Sequence, residues 1–449
     1  MNIPVVSTAT TVFSAVEDTV TNQFTSHLDL AEKPKTVTLP QAQDALRQIA
    51  TAAGVRPALL YVMLTPRPAD QNLSREANTQ PELSFDPVAG KPIIRQVPAT
   101  ASDLQLLLVP SSGNPIFRRV PGVTREAVIQ LGKEFRNEVS DPSKIRTDSY
   151  LPAAQQLYRW LIAPIAADLK AQKIDSISFI MDTPLRFIPL AALHDGKQFL
   201  VEQYSIGLMP SLSLTDLRYS NLRAAKVLGA GASTFTDPNQ NRLPAAQEEI
   251  ATILSAKDRW QGTRLLEQRF TRSNLVAERQ AQPFGIIHLA THGEFVPGKL
   301  SESYIQLADE KLRLDQIRQL NWNDPPVELV VLSACRMAVG NEDAELGFAG
   351  FAVKAGAKSA LASLWNVSDE GTMALMAEFY QQLWHAPVKA EALRRAQIAL
   401  LQGKVTLRQG KLISSNGTFD LPPELTQLGT KELTHPYFWS AFTIVGSPW

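Results

Sequence analysis

The sequence predicts an α/β protein in which a mostly parallel sheet lies between helical layers, with a smaller α/β unit ahead of it. Three observations predict it. From residue 151 onward, short apolar, β-branched runs alternate with amphipathic stretches of helical period, as strand–helix–strand units do. The runs 284–291 and 327–335 are apolar throughout rather than alternating, as strands covered on both faces are. The segments between runs are rich in Gly, Pro, Asn and Asp, which supply the turns that such connections need.

In chain order, residues 1–40 are rich in Thr, Ser and Val with mixed periodicity, and predict a loosely ordered or β-like start. Leu39-Pro40 ahead of residues 41–53 predicts a helix with proline in its first turn, stopped at Gly54. Residues 57–65 predict a buried strand and 66–87 a polar surface loop. Strands at 93–97, 104–109 and 118–121 and a helix at 124–138 complete the smaller unit, placed at 1–145, with 141–150 as its linker.

The larger unit, 150–449, opens with a long helix at 151–171 and a strand at 176–181. Its second half, from about 222, predicts strands at 226–230, 264–267, 284–291, 327–335 and 358–365. Helices at 245–256, 271–280, 346–355, 370–384 and 390–401 lie between and after them. A hairpin is expected at 304–308 and 311–314, with a short helix at 315–320 behind it. Residues 402–434 read as the longest loop, and 435–446 as a closing strand.

Composition excludes several function classes. Lys+Arg and Asp+Glu both number 44, so no overall field draws the chain to nucleic acid or to an anionic membrane. One cysteine makes neither an internal disulfide nor a cysteine-based zinc site. No apolar run reaches the ~18 residues of a membrane span. Met1-Asn2-Ile3-Pro4 lacks the basic segment and apolar core of a signal peptide, so a cytoplasmic location is the default. No cofactor is expected. The segment Gly229-Ala230-Gly231 lacks the third glycine of a dinucleotide fingerprint and stands too far before its helix, so it reads as a tight strand end beside a cleft.

The chemistry concentrates at two strand ends. Cys335, the lone cysteine, ends the 327–335 run beside the cationic Arg336, a setting that can expose and partly ionise a thiol. His292 closes the other run, and a histidine has the pKa that a base for cysteine attack needs. Gly293 after it lets the backbone turn and offers an N–H toward an oxyanion. His288 shares a face with His292 but lies deeper, and reads as a packed residue with its own partner. Spacing alone leaves a second account open, in which Cys335 is a small hydrophobe ending a core strand and the histidine is structural.

The wording of three segments goes further. Ile287-His288-Leu289-Ala290-Thr291-His292-Gly293-Glu294-Phe295, Leu332-Ser333-Ala334-Cys335 and Ala362-Ser363-Leu364-Trp365-Asn366-Val367-Ser368-Asp369 together resemble the CHAT domain, a caspase-like branch of the cysteine peptidases related to separases. The likeness runs from about Leu151 to Trp449, with further matching segments at 185–196, 204–214 and 435–446. It implies a caspase-like three-layer sandwich with a six-stranded sheet, and an inactive caspase-like lobe at the N-terminus. It also implies Cys335 as nucleophile, His292 as base, and the Gly293 and Cys335 backbone N–H groups as oxyanion donors. Substrates would be proteins or peptides, with an activating protein partner and no direct nucleic-acid or membrane contact. The chain departs from the usual Ser-Ala-Cys-Glu-Thr in having Arg336-Met337, which bears on the thiol pKa and on what fits beside it.

The segment Trp365-Asn366-Val367-Ser368-Asp369 is similar to the Trp-x-Val-x-Asp segment of separases, which cut after arginine. That likeness implies a narrow substrate pocket with Asp369 at its base and Trp365 and Arg336 as further substrate-binding residues. There the acid pairs with an arginine or lysine side chain, most strongly with a bidentate arginine; an apolar preference is the rival. Ser368 and Asp369 are equally good helix N-caps, and a cap would hold the same loop. The alternative from another class is a catalytically silent caspase-fold scaffold or sensor in a signalling or defence complex.

Overall fold

The chain begins with a helix where its composition predicts none. Helix α1 (Val5–His27) turns Phe13, Glu17, Val20 and Phe24 inward, all fully or almost fully buried. That stripe repeats at helical spacing, but its second member is an acid and the rest of the helix is rich in Thr and Val, so the pattern is masked. The Glu17 carboxylate accepts hydrogen bonds from Tyr61 Oη and from Ser213 N and Oγ, each at 2.7 Å. The structure, a computed structural model, describes residues 5–27, 34–66, 79–86, 91–98, 102–255, 259–296, 301–337, 355–415 and 417–449.

Helix α2 (Leu39–Ala53) has Pro40 in its first turn and ends at Gly54, whose φ of 70° is a left-handed C-cap. Strands β1 (Pro57–Pro66), β4 (Ser102–Pro110) and β5 (Ile116–Val120) and helix α3 (Arg125–Ser140) follow, with a separate hairpin of β2 (Thr79–Asp86) and β3 (Lys91–Pro98) inserted among them. Strand β2 therefore lies inside the stretch expected as one polar loop. Proline splits the expected long helix into α4 (Leu151–Leu161) and α5 (Ala166–Ala171), because Pro164 has no N–H for the ladder. Next come β6 (Ser176–Met181), α6 (Leu200–Gln203) and β7 (Ser205–Leu208).

The second half alternates as expected: β8 (Val227–Gly231), α7 (Ala246–Ser255), β9 (Gly262–Leu266), α8 (Arg272–Ala281) and β10 (Ile286–Phe295). The hairpin β11 (Tyr304–Gln306) and β12 (Lys311–Arg313) precedes β13 (Leu329–Met337), β14 (Ser359–Ser363), α9 (Asp369–His385) and α10 (Lys389–Leu401). The helix expected at 346–355 lies outside the described residues but for its last position. Residues 402–434 are not one loop. They hold a four-stranded sheet of β15 (Thr406–Arg408), β16 (Lys411–Ser414), β17 (Gly417–Asp420) and β18 (Lys431–Glu432). Strands of two to four residues are too short to show a period, yet Leu407 and Leu412 are fully buried beneath them. The expected closing strand divides into a helical turn, α11 (Pro436–Trp439), and β19 (Phe442–Gly446).

Among the described residues the main sheet has thirteen strands, not six, in the order β12-β11-β10-β13-β14-β19-β7-β6-β1-β4-β5, with β8 beside β10 and β9 beside β8 off this path. Most pairings are parallel, including β1 with β6, which lie on opposite sides of residues 141–150. That segment, with a 3-10 turn at Pro142–Lys144, thus connects strands of one sheet and one continuous apolar core. No helix among the described residues is long and apolar enough to cross a membrane.

Candidate active site

Strands β10 and β13 are parallel neighbours near the middle of the second half, and their register brings the two candidate residues together. His292 stands opposite Ala334, and Gly293 opposite Cys335. Ahead of that point the register slips by one residue, from Leu289 opposite Leu332 to His292 opposite Ala334. Strand β8 accompanies β10 only as far as Ala290, and β14 pairs with β13 only from Val330 to Leu332. His292 and Cys335 therefore stand past the ends of β8 and β14, with the short strand β11 still beside β10 at Gly293, at the carboxyl-end position where open α/β sheets bind ligands. Both strands run further than their sequences predict, with the ladder closing at Phe295 opposite Met337. The side chains of Ala334, Cys335, Arg336 and Met337 lie outside the described residues.

A strap between β8 and α7 holds His292. Its Nε2 lies 2.7 Å from the Asn241 carbonyl oxygen, and its ring lies 5.2 Å from that of Phe235, centroid to centroid. A carbonyl only accepts, so Nε2 carries the hydrogen and the neutral ring has its lone pair on Nδ1. The strap is itself tied down. Ser233 donates from N and Oγ to Glu267 at 2.8 and 2.6 Å, and Gln240 donates to Tyr304 Oη at 3.1 Å. Asp237 pairs with Lys311 at 3.1 Å. Burial is the largest single influence on the Glu267 carboxyl and raises it, but the hydrogen bonds from Ser233, Thr234 and Gln247 together hold it below the usual range.

His288 is fully buried and partnered. Its Nε2 meets Glu249 Oε1 of α7 at 2.7 Å, and its Nδ1 meets Tyr380 Oη of α9 at 3.1 Å. His288 and His292 thus both look toward α7 and the strap before it, consistent with strand alternation. The glycines of β8 belong to the same packing. A Cβ at Gly229 would lie 2.8 Å from Ile250 Cγ2, and one at Gly231 would lie 2.6 Å from Ala290 O. They let α7 and β10 approach closely.

The loop after β14 is firmly seated. Ser368 is the N-cap of α9 and accepts from Gly371 N, which leaves Asp369 as the first helical residue. Asp369 accepts from Ala245 N and is half-buried. Burial first, then the nearby Glu249 and Glu370, push its carboxyl up to about 7. Trp365 is 3% exposed and donates its indole N–H to Tyr437 O at 3.1 Å, so it anchors the loop from within. Arg136 of α3 reaches the same place, donating to Leu364 O at 2.5 Å.

Sequence reasoning missed Asn241, Phe235, Glu249 and Tyr380. The Asn241 contribution is a backbone carbonyl, which no side-chain pattern signals. Glu249 follows Gln247 and Glu248 in a run that reads as solvated surface. Phe235 was the one visible clue, an aromatic in a polar loop.

A comparison with curated proteins finds no match. Among solved structures, the chain is similar to one from the Saccharomyces cerevisiae separase–securin complex at 9% identity, over 92% of this chain and 31% of that one, with a TM-score of 0.45. It is also similar to the Arg-specific cysteine proteinase gingipain R at 12% identity, over 70% of this chain and 74% of that one, with a TM-score of 0.41. A complex of Porphyromonas gingivalis RgpB pro- and mature domains matches at 12% identity, over 73% of this chain and 77% of that one, with a TM-score of 0.39. The chain spans about a third of the separase-complex chain it matches. The CHAT domain family model matches residues 151–447, well over half of the sequence, and the chain belongs to that family.

Proposed function

We propose that this protein is a cysteine endopeptidase that cleaves protein substrates through Cys335 and His292 and is switched on by a protein partner. The observation that carries this reading is the register of β10 and β13, which sets Cys335 opposite Gly293 with the Asn241-bound His292 one position earlier. With Nε2 donating to the Asn241 carbonyl, Nδ1 is the nitrogen that takes the Cys335 proton. The thiolate attacks the scissile carbonyl, and the C–N bond breaks as the imidazolium returns that proton to the leaving amine. Water then hydrolyses the thioester. The Gly293 and Cys335 backbone N–H groups stabilise the oxyanion at both stages. Asp369 receives the side chain before the cut, with arginine or lysine preferred, and the loop that begins at Trp365 carries it; Arg336, the residue after Cys335, is the further substrate-binding residue of this reading.

The same ladder supports the reading that a partner is needed. Gly293 is in register with Cys335 on one side and Ile305 on the other, so this oxyanion donor sits inside a paired sheet, whereas among the described residues Cys335 is paired on the β10 side alone. Catalysis requires β10 and β13 to part beyond His292, near the place where their register already slips. The closed ladder equally favours the rival reading, a caspase-fold scaffold that turns nothing over. Alkylation of Cys335 by iodoacetamide across pH separates the two. A thiol that reacts well below the free-cysteine pKa of about 8.5 is the peptidase outcome. Ordinary thiol behaviour, together with no cleavage of an arginine-containing peptide library even after addition of cell extract, sinks it.

A further inference from the structure

The surroundings of Asp369 are unbalanced in charge. Two more carboxylates face it, Glu249 from α7 and Glu370 from its own helix, 3% and 5% exposed. Each has a cationic or protonatable partner. His288 of β10 lies 2.7 Å from Glu249, with Tyr380 of α9 on the far side of its ring, and Lys431 of β18 lies 2.5 Å from Glu370. Asp369 itself is held by the Ala245 amide, which carries only a partial charge. Among the described residues, three acids therefore meet one lysine and one histidine, and the cluster is short of a cation. A half-buried site with that deficit holds a proton instead.

Resting on the reading of Asp369 as the pocket acid, we propose that Glu249, through its field on Asp369, makes capture of a basic side chain a proton exchange: as the guanidinium–carboxylate pair forms, the Asp369 proton leaves to solvent. Glu249 does not touch the substrate. It tunes the acid that does, and Lys431 opposes it by neutralising Glu370. The pocket is then apolar when Asp369 is protonated and anionic when it is not. Affinity for an arginine side chain rises with pH, because the bound cation favours the ionised acid. With Asp369 at about 7, affinity at pH 6 is roughly a tenth of its high-pH plateau.

The test uses the full chain with Cys335→Ala, so that nothing is turned over. A tetrapeptide amide ending in arginine and its norleucine counterpart are titrated calorimetrically at pH 6 to 8, in two buffers of different ionisation enthalpy. The expected result is release of about half a proton per site at pH 7 and roughly tenfold tighter binding at pH 8 than at pH 6, for the arginine peptide alone. Glu249→Gln moves the midpoint of that rise to lower pH, and Lys431→Met moves it to higher pH. If loss of its His288 contact keeps Glu249→Gln from folding, Lys431→Met on its half-exposed side chain reads the same coupling with opposite sign. Arginine binding with no proton release, or a midpoint unmoved by a folded variant, overturns the proposal. Failure of the arginine peptide to bind at any pH removes the pocket itself.

Discussion

At the carboxyl ends of β6 and β10, one sheet does opposite things. Beyond β6 the end is sealed. Asp182 accepts the Leu64 N–H at 2.6 Å, and Arg186, 4% exposed, donates to Met181 O at 2.6 Å and to Pro210 O at 3.4 Å, with its guanidinium over the Phe24 ring. At the ends of β10 and β13 the strands outrun β8 and β14, and the covering strap bonds to His292 instead of closing over it. The sheet geometry is shared, so what differs is the loop. Where its polar groups satisfy the strand end, the result is stability; where they orient a side chain, the result is a candidate site.

The contrast breaks most visibly at the candidate pair. Cys335→Ala and His292→Ala should each lower hydrolysis of a cleavable fluorogenic peptide by at least about a thousandfold, with the double variant little worse and the circular dichroism unchanged. If His288→Ala abolished activity and His292→Ala did not, the base would be misassigned. In the sealed half the cost should fall on folding. Arg186→Met, which leaves two buried carbonyls without their donor, should cost about 3 kcal/mol in urea unfolding. It should leave kcat/KM unchanged in buffer.

Arg136→Met sharpens the comparison, because this first-half residue crosses to the site half. Losing its bond to Leu364 O should raise KM for the preferred peptide several-fold with kcat within about twofold, a split that simple destabilisation does not produce. The smallest effect concerns Glu17. Burial, the largest cause, raises its carboxyl above the ordinary value, so its share of stability is present below the unfolded pKa of about 4.3 and is lost as pH rises through the folded value. Melting temperature should therefore fall less between pH 4 and pH 8 in Glu17→Gln than in the wild type. An equal fall in both proteins would place the titrating group elsewhere.

Long elements with a clear period were legible in the sequence. Strands β1, β6 and β8 and helices α2, α3, α7, α8, α9 and α10 stand within a few residues of where apolar spacing, Thr124, Ser368 and Gly54 put them. What misled was local pattern overridden by partners far along the chain. Helix α1 reads as β-like because its buried stripe includes Glu17, whose partners Tyr61 and Ser213 lie 44 and 196 residues away. The short strands of 402–434 have no period to read. At the site, the two strands could be located from sequence but not their overrun, since where a ladder closes depends on its neighbours. The role of Glu249 was invisible for the same reason, because its meaning lies in Asp369 and His288.

One consequence concerns the order in which the molecule can assemble. Strand β19 joins the two halves, pairing antiparallel with β14 and, at Val445 opposite Leu208, parallel with β7. During synthesis the strands before residue 222 can associate while the rest is still being made, but the seam waits for residues 442–446. Until then β7 and β14 each present a bare apolar edge, the kind of surface that recruits other chains. A chain interrupted after β18 would keep both candidate catalytic residues and still leave those edges open, so its first failing would be aggregation rather than lost chemistry.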